Sequence, residues 1–213
     1  MLVPDSELVK FKNENGIAAT PLDVEYLDGV LTRDSEVLLA TTLEELIVSF
    51  PNNKINVEIK QEGDVGKCAL EAVIGLLSEH DAFDRVVLAS FHDDIYDEFK
   101  RYQLEGLVPD EFMYSPGTSG AAVFFILHTL GLDVFFSDKI CVLQLPVDYE
   151  IKGLTFDLST KALVAKAHKH NLAVHYWTID DKETMRELIE LDVDGIMTNY
   201  PHRLAEIYAE YVA

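Results

Sequence analysis

Residues 54–61 read KINVEIKQ, and two opposite charges stand two positions apart in that stretch. Ile55, Val57 and Ile59 alternate with Asn56, Glu58 and Lys60. A period of two places the aliphatic side chains on one face of a strand and the polar ones on the other. Glu58 and Lys60 are then same-side neighbours, roughly 7 Å apart along the strand. Charge held away from water is costly unless it is paired. Such a pair shares a ligand, binds a metal, or satisfies itself. A hard divalent cation takes carboxylate oxygens, and a lysine beside it can hold a phosphate oxygen as a point charge. A plain ion pair at the rim of a sheet accounts for the same pattern.

Other titratable residues offer fewer groupings. His175 shares a strand face with Trp177 and is the first alternative base, although a lone histidine on a core strand is more often hydrogen-bonded packing. His92 follows the strand end at Phe91. His128, His168, His170 and His202 fall on helices. Asp93 or Asp94, and Asp180 or Asp181, read as helix caps. Asp194 reads as a turn residue. The sequence has no Ser-His-Asp grouping, no glycine-rich phosphate loop and no His/Cys zinc spacing.

The elements that position these residues alternate regularly from residue 42 onward. TTLEELIVSF opens with Thr42 and Glu45 in capping-box spacing, and Leu43, Leu46, Ile47 and Phe50 follow at helical intervals. After the strand 55–59 comes a helix with Leu70, Val73, Ile74 and Leu77 on one stripe. RVVLASF (85–91) is a buried strand, followed by a helix to about Tyr102. DEFMYS (110–115) is a weaker strand before an apolar helix near 118–130. ICVLQLP (140–146) is a strand ended by Pro146, and a helix covers 160–170. LAVHYWTI (172–179) and DGIMTN (194–199) are the last strands, each followed by a helix. The final helix carries Leu204, Ile207, Tyr208 and Tyr211 on one stripe. Strands alternating with helices imply parallel pairing through crossovers. About six βα units are visible. The closed solution is an eight-unit barrel of roughly 250 residues. The expectation is therefore an α/β fold of the TIM (β/α)8 type, N-terminally incomplete, in a single domain over 1–213. An open doubly wound sheet is the other solution. The first 40 residues contain no convincing βα unit, and Thr20-Pro21 suggests one short helix start.

Composition narrows the function classes. The chain has 213 residues, 48% hydrophobic, with 38 acidic and 17 basic residues and a formal net charge of −21. Such a surface repels nucleic-acid phosphates and anionic membranes. Cys68 and Cys141 lie far apart, form no C-x-x-C pair, and read as small buried hydrophobes in a reducing compartment. MLVPDSELVK has no signal-peptide pattern, so the expected location is cytoplasmic. The apolar window 120–136 is too short and too interrupted to span a bilayer.

Taken together, LLATTLEELIVSFPNNKINVEIK, RVVLASF, LQLPVDY and VHYWTIDDKETMRELIELDVDGIMTNYP resemble the glycerophosphodiester phosphodiesterase family, in order from about Leu38 to Pro201. The resemblance implies a TIM barrel that hydrolyses a small-molecule glycerophosphodiester to glycerol 3-phosphate and an alcohol, with a bound divalent cation, Mg²⁺ or Ca²⁺. It implies that Glu58 is a metal-binding carboxylate and that Lys60 contacts the phosphate. Trp177 matches an aromatic near the barrel mouth. Phe91 and Gln144 match strand-end positions on the substrate side. The family's opening His-Arg-Gly strand and the following Glu-x-Asp strand have no counterpart ahead of INVEIK. LVPD (2–5) resembles the family's His-Asp region, with Asp5 at the aspartate and Pro4 where the histidine should be. The expectation is thus a fragmentary or impaired member, with retention of the cation in doubt. A non-catalytic relative acting in binding or regulation is the alternative, and an unrelated open α/β enzyme is the third reading. Open strand edges would also make the chain self-associate.

Overall fold

The computed structural model describes residues 42–212 apart from 111, 138, 139 and 152, with the backbone alone of 25–27, 30–33, 36–39 and 151. Pro4, Asp5 and Thr20-Pro21 lie outside the described residues. The chain divides into two units, Met1–Asn52 and Asn53–Ala213. In the first, β1 (Glu25–Leu27), β2 (Val30–Arg33) and β3 (Glu36–Leu39) form an antiparallel meander. The α1 helix (Leu43–Ser49) opens with the expected capping box. Glu45 N–H donates to Thr42 Oγ1 at 3.2 Å, and Thr42 N–H donates to Glu45 Oε2 at 2.8 Å. Ile47 is the buried residue of its stripe, whereas Phe50 is exposed.

The second unit is built from strand–helix repeats. β4 (Ile55–Glu58), β5 (Val86–Ala89) and β6 (Met113–Tyr114) make one parallel sheet. β7 (Val142–Leu145), β10 (Ala173–Tyr176) and β11 (Gly195–Ile196) make another, with β10 in the middle. Between β7 and β10 the chain inserts an antiparallel hairpin, β8 (Asp148–Ile151) and β9 (Leu154–Asp157). One backbone bond joins the two parallel sheets: the Cys141 N–H donates to the Tyr114 carbonyl at 3.2 Å. Six strands therefore follow one another as β4-β5-β6-β7-β10-β11. They do not close into a barrel among the described residues.

Helices α2 (Gly63–Glu79), α3 (Asp93–Leu104), α4 (Thr118–Thr129), α5 (Lys161–Lys169), α6 (Lys182–Glu190) and α7 (Pro201–Val212) connect and follow the strands. Leu70, Val73, Ile74 and Leu77 of α2 are all buried, as the spacing predicts. Met185 and Leu188 of α6 and Ile207 of α7 do the same, while Tyr208 and Tyr211 are exposed. The core lies between these helices and one face of the strands. Leu88, Leu143, Val174 and Tyr176 are almost wholly buried on that face. Tyr176 must satisfy its hydroxyl there, and it donates to the Leu158 carbonyl at 2.6 Å. Burial pushes the phenol well above its usual range.

The other face is different. Val87 is in register with Met113, and Gln144 with His175 and Gly195. All five positions are half-buried rather than enclosed. Gln144 reaches across the inside to β4, its Nε2 donating to Asn56 Oδ1 at 2.8 Å.

β4 and β11 each have a single strand partner among the described residues. Unpaired N–H and C=O rows invite another chain. We propose that these edges make the protein self-associate. Sedimentation velocity should show a mass that rises with concentration, and an unchanging monomer over the whole range would sink the idea.

Candidate functional site

Short loops after β4, β5, β6, β7 and β10 bring their residues to the C-terminal ends of the strands. A cavity of about 590 Å³ opens there. Glu58, Phe91, Gln144 and Trp177 all line it. Glu58 and Lys60 make an ion pair at 3.0 Å, with side chains 28% and 51% exposed. Glu58 lines the cavity, whereas Lys60 does not. Phe91 and Trp177 meet edge to face, with ring centroids 5.2 Å apart. The Trp177 indole N–H is buried and has no acceptor among the described residues.

The loop after β5 is braced on both sides. Ser90 Oγ donates to the Ile59 carbonyl at 2.9 Å and accepts from the His92 N–H at 3.2 Å. The His92 ring lies 3.0 Å from the Lys60 carbonyl through Nε2. A carbonyl only accepts, so that nitrogen carries the proton and holds the turn after β4. Nδ1 sits 3.5 Å from Glu62. His92 is thus a brace for the loop that presents Lys60.

Asp93 and Asp94 correct the expectation that one of them caps α3. Both are the first residues of that helix, and its N-cap position is His92. Asp94 Oδ2 accepts from the Gly63 N–H at 2.8 Å, at the start of α2. Asp93 accepts from Ser119 N–H at 3.1 Å and from the Ser119 hydroxyl, at the start of α4. Carboxylates stabilise helix N-termini by satisfying orphan N–H groups and by opposing the helix dipole. Here they serve the two neighbouring helices. A side chain at Gly117 would run into the Asp93 carboxylate, which explains the glycine.

Asp180 and Asp181 divide their work. Asp181 caps α6, accepting from Thr184 N–H at 2.8 Å and Glu183 N–H at 3.1 Å. Asp180 corrects the cap expectation. It accepts from Asn199 N–H and Nδ2, both at 2.9 Å, and from Thr198 Oγ1 at 3.0 Å, tying the segment after β10 to the segment after β11. The Asn199 donors, with Thr198, hold its carboxyl below the usual range.

His175 faces the inside of the arc, against Gly195 of β11. A Cβ at Gly195 would lie 2.6 Å from the His175 ring. Burial lowers the imidazole pKa, so the ring is neutral near pH 7. It is packed, half-buried and set below the Trp177 level. His168 bonds Asp194 at 2.9 Å, and Asp194 also accepts the Val174 N–H at 2.8 Å. His170 lies 3.4 Å from Asp133, whose carboxyl is held low chiefly by Lys166 at 2.7 Å. The cysteines correct the expectation that both are buried. Cys68 is exposed. Cys141 is half-buried, and burial pushes its thiol up to about 11.

One wall component and one residue behind the wall were not read from the sequence. The hairpin contributes Tyr149 and Phe156 to the cavity. The signal was the alternation of DYEI and LTFD about Lys152-Gly153, and Gly153 adopts φ +80°. Asn56, the partner of Gln144, was legible only as an inward polar residue.

The model of the "Glycerophosphoryl diester phosphodiesterase family" matches residues 7–203. A Mycobacterium tuberculosis protein named "Probable glycerophosphodiester phosphodiesterase 2" is 28% identical over 170 residues, 78% of this chain. The chain spans 59% of that relative's length. The crystal structure of a glycerophosphodiester phosphodiesterase from Parabacteroides distasonis superposes with a TM-score of 0.57 at 19% identity, covering 90% of this chain and 83% of that one. One from Agrobacterium tumefaciens gives 0.54 at 12% identity, covering 85% and 76%. These two likenesses establish a shared fold. No described helix is long and apolar enough to cross a membrane.

Substitutions at two contacts check the geometry. Asp180 has a lower pKa folded than unfolded, so its contribution is present above about pH 4 and is lost as pH falls through the folded value. Asp180→Asn should lower the urea midpoint at neutral pH and lose less than the parent on acidification. Parallel acid curves would refute this. Gly195→Ala should cost about 1–3 kcal/mol through the clash with His175. His175→Ala in the same chain should relieve that cost, and strict additivity would show that the two residues do not press on each other.

Proposed function

The chain belongs to the glycerophosphoryl diester phosphodiesterase family, and from that membership we propose that its site acts on a glycerophosphodiester. Water adds to phosphorus, the bond from phosphorus to the alcohol oxygen breaks, and the alcohol leaves with a proton. Glycerol 3-phosphate is the other product. The observation that supports this reading is the Glu58–Lys60 pair at 3.0 Å, beside a cavity shared with Phe91, Gln144 and Trp177.

Within this reading, the Lys60 ammonium donates to a phosphate oxygen at contact, with Glu58 offsetting part of its charge. Gln144 orients the diester with whichever amide atom Asn56 leaves free. Phe91 and Trp177 exclude water on one side. We assign Glu58 the metal-facing position of the family. Mg²⁺ wants a near-ideal octahedron and Ca²⁺ takes 6–8 oxygens. Among the described residues no three His, Cys, Asp or Glu gather to hold a metal, and Glu58 is already engaged by Lys60. The described residues therefore do not fit a divalent cation by themselves. They also bring no imidazole with a free nitrogen to the cavity wall. We read the six-strand arc as the larger part of the family's barrel, supplying phosphate recognition rather than the acid and base.

Calorimetry with glycerol 3-phosphate tests the phosphate reading. Lys60→Ala should weaken binding about tenfold or more, as for a hydrogen bond to a charged group. Equal binding by the variant would overturn it. In the same preparation, turnover of glycerophosphocholine with Mg²⁺ or Ca²⁺ should be low, since losing a general acid or base costs about 10²–10⁴-fold. Excess cation should leave the melting temperature unchanged. Ordinary cation-dependent turnover, or a thermal shift abolished by Glu58→Gln, would show that the chain holds its metal after all.

A further inference from the structure

The cavity beside Glu58 is far larger and more apolar than recognition of a phosphate and a glycerol requires. Its volume of about 590 Å³ is that of a small-molecule pocket. Glu58, Ser90, Ser115 and Gln144 line it at the strand ends, and the α4 hydroxyls of Thr118 and Thr129 that also line it already donate to the Phe91 and Phe125 carbonyls. Away from them the wall is Phe124, Phe125, Ile126, Leu145, Phe156 and Leu163. These come from α4, the end of β7, the hairpin and α5. Phe125 and Phe156 pack edge to face with centroids 5.9 Å apart, holding the hairpin against α4.

Two further observations bear on what enters. Leu130 and Tyr149 line the cavity and are also 65% and 50% exposed, so its outer rim is apolar where it meets solvent. And α4 carries no polar side chain from residue 120 to 127, with Val123 and Ile126 exposed beside the buried Phe124. A hydroxyl-rich or charged alcohol group in this chamber would lose water and gain few partners, which is unfavourable. A hydrocarbon would lose nothing and gain the hydrophobic effect.

Building on the phosphodiester reading, we propose that this chamber holds the hydrocarbon chain of a single-chain amphiphilic phosphodiester, with its phosphate at the Glu58–Lys60 end. The protein then selects diesters by the length of an aliphatic chain as well as by the phosphate.

Trp177 is the sole tryptophan and lines the cavity, so its fluorescence reports occupancy directly. Octyl-, decyl- and dodecylphosphocholine, each kept below its micelle-forming concentration, are the probes. Affinity should rise about fourfold for each added methylene buried, until the chamber is full. Ala121 lies in the wall on α4, and Ala121→Phe should flatten that dependence. Ala122→Met, nearer the rim, should reduce it less. The series on the unaltered chain stands even if a variant fails to fold.

Affinity independent of chain length would overturn the proposal, while displacement of these probes by glycerol 3-phosphate would leave the phosphodiester reading in place. Equal binding of alkyl maltosides of the same chain length would also overturn it, because the site would then recognise grease without phosphate. Chain-dependent binding that Lys60→Ala does not weaken would place the phosphate elsewhere and refute the assigned orientation.

Discussion

One backbone hydrogen bond, from the Cys141 N–H to the Tyr114 carbonyl, turns two three-stranded sheets into a single arc. The Cys141 thiol donates to the same carbonyl at 3.3 Å and reinforces the seam. Every cross-arc relation depends on it. Glu58 belongs to the first sheet and Trp177 follows the second, yet both line one cavity. The Asn56–Gln144 bond spans 88 residues of sequence and closes the inside of the arc at a second point. Parallel strands cannot be joined by tight turns, so these two bonds do locally what long crossovers do globally.

The helix-facing side of this arrangement was legible in the sequence because its physics is periodic. Leu70, Val73, Ile74 and Leu77 announce a buried stripe, and Ile55, Val57 and Ile59 announce a strand. The Thr42–Glu45 capping box is local chemistry and formed as spaced. What escaped was non-periodic or non-local. The hairpin strands are four residues each and mostly exposed, so their alternation is too brief to mark a buried face. Asp93 and Asp94 have the composition of caps, but a local rule cannot say which helix a carboxylate will serve. Asp180 is the same case: its partners lie 18 and 19 residues away. Of the candidate site, Glu58, Phe91, Gln144 and Trp177 share one cavity, whereas Lys60 reaches it only through Glu58. Cavity shape was not legible, because it depends on where α4 and the hairpin meet.

The protein's charge and its site pull in opposite directions. A formal charge of −21 repels an anionic diester at long range. Salt weakens that repulsion beyond roughly 8–10 Å, so the local field near Lys60 decides what happens at contact. Glu58 partly cancels that lysine. The pair is therefore close to neutral, and an apolar wall supplies binding energy that charge cannot.

Asp93 and Asp94 are adjacent, yet one grips the start of α4 and the other the start of α2. Gly63 comes three residues after Lys60, and Gly117 and Thr118 belong to the cavity wall. The first turn of α3 thus ties the charged lip of the opening to the apolar lip. A tilt of either lip loads that turn, although it lines no part of the cavity.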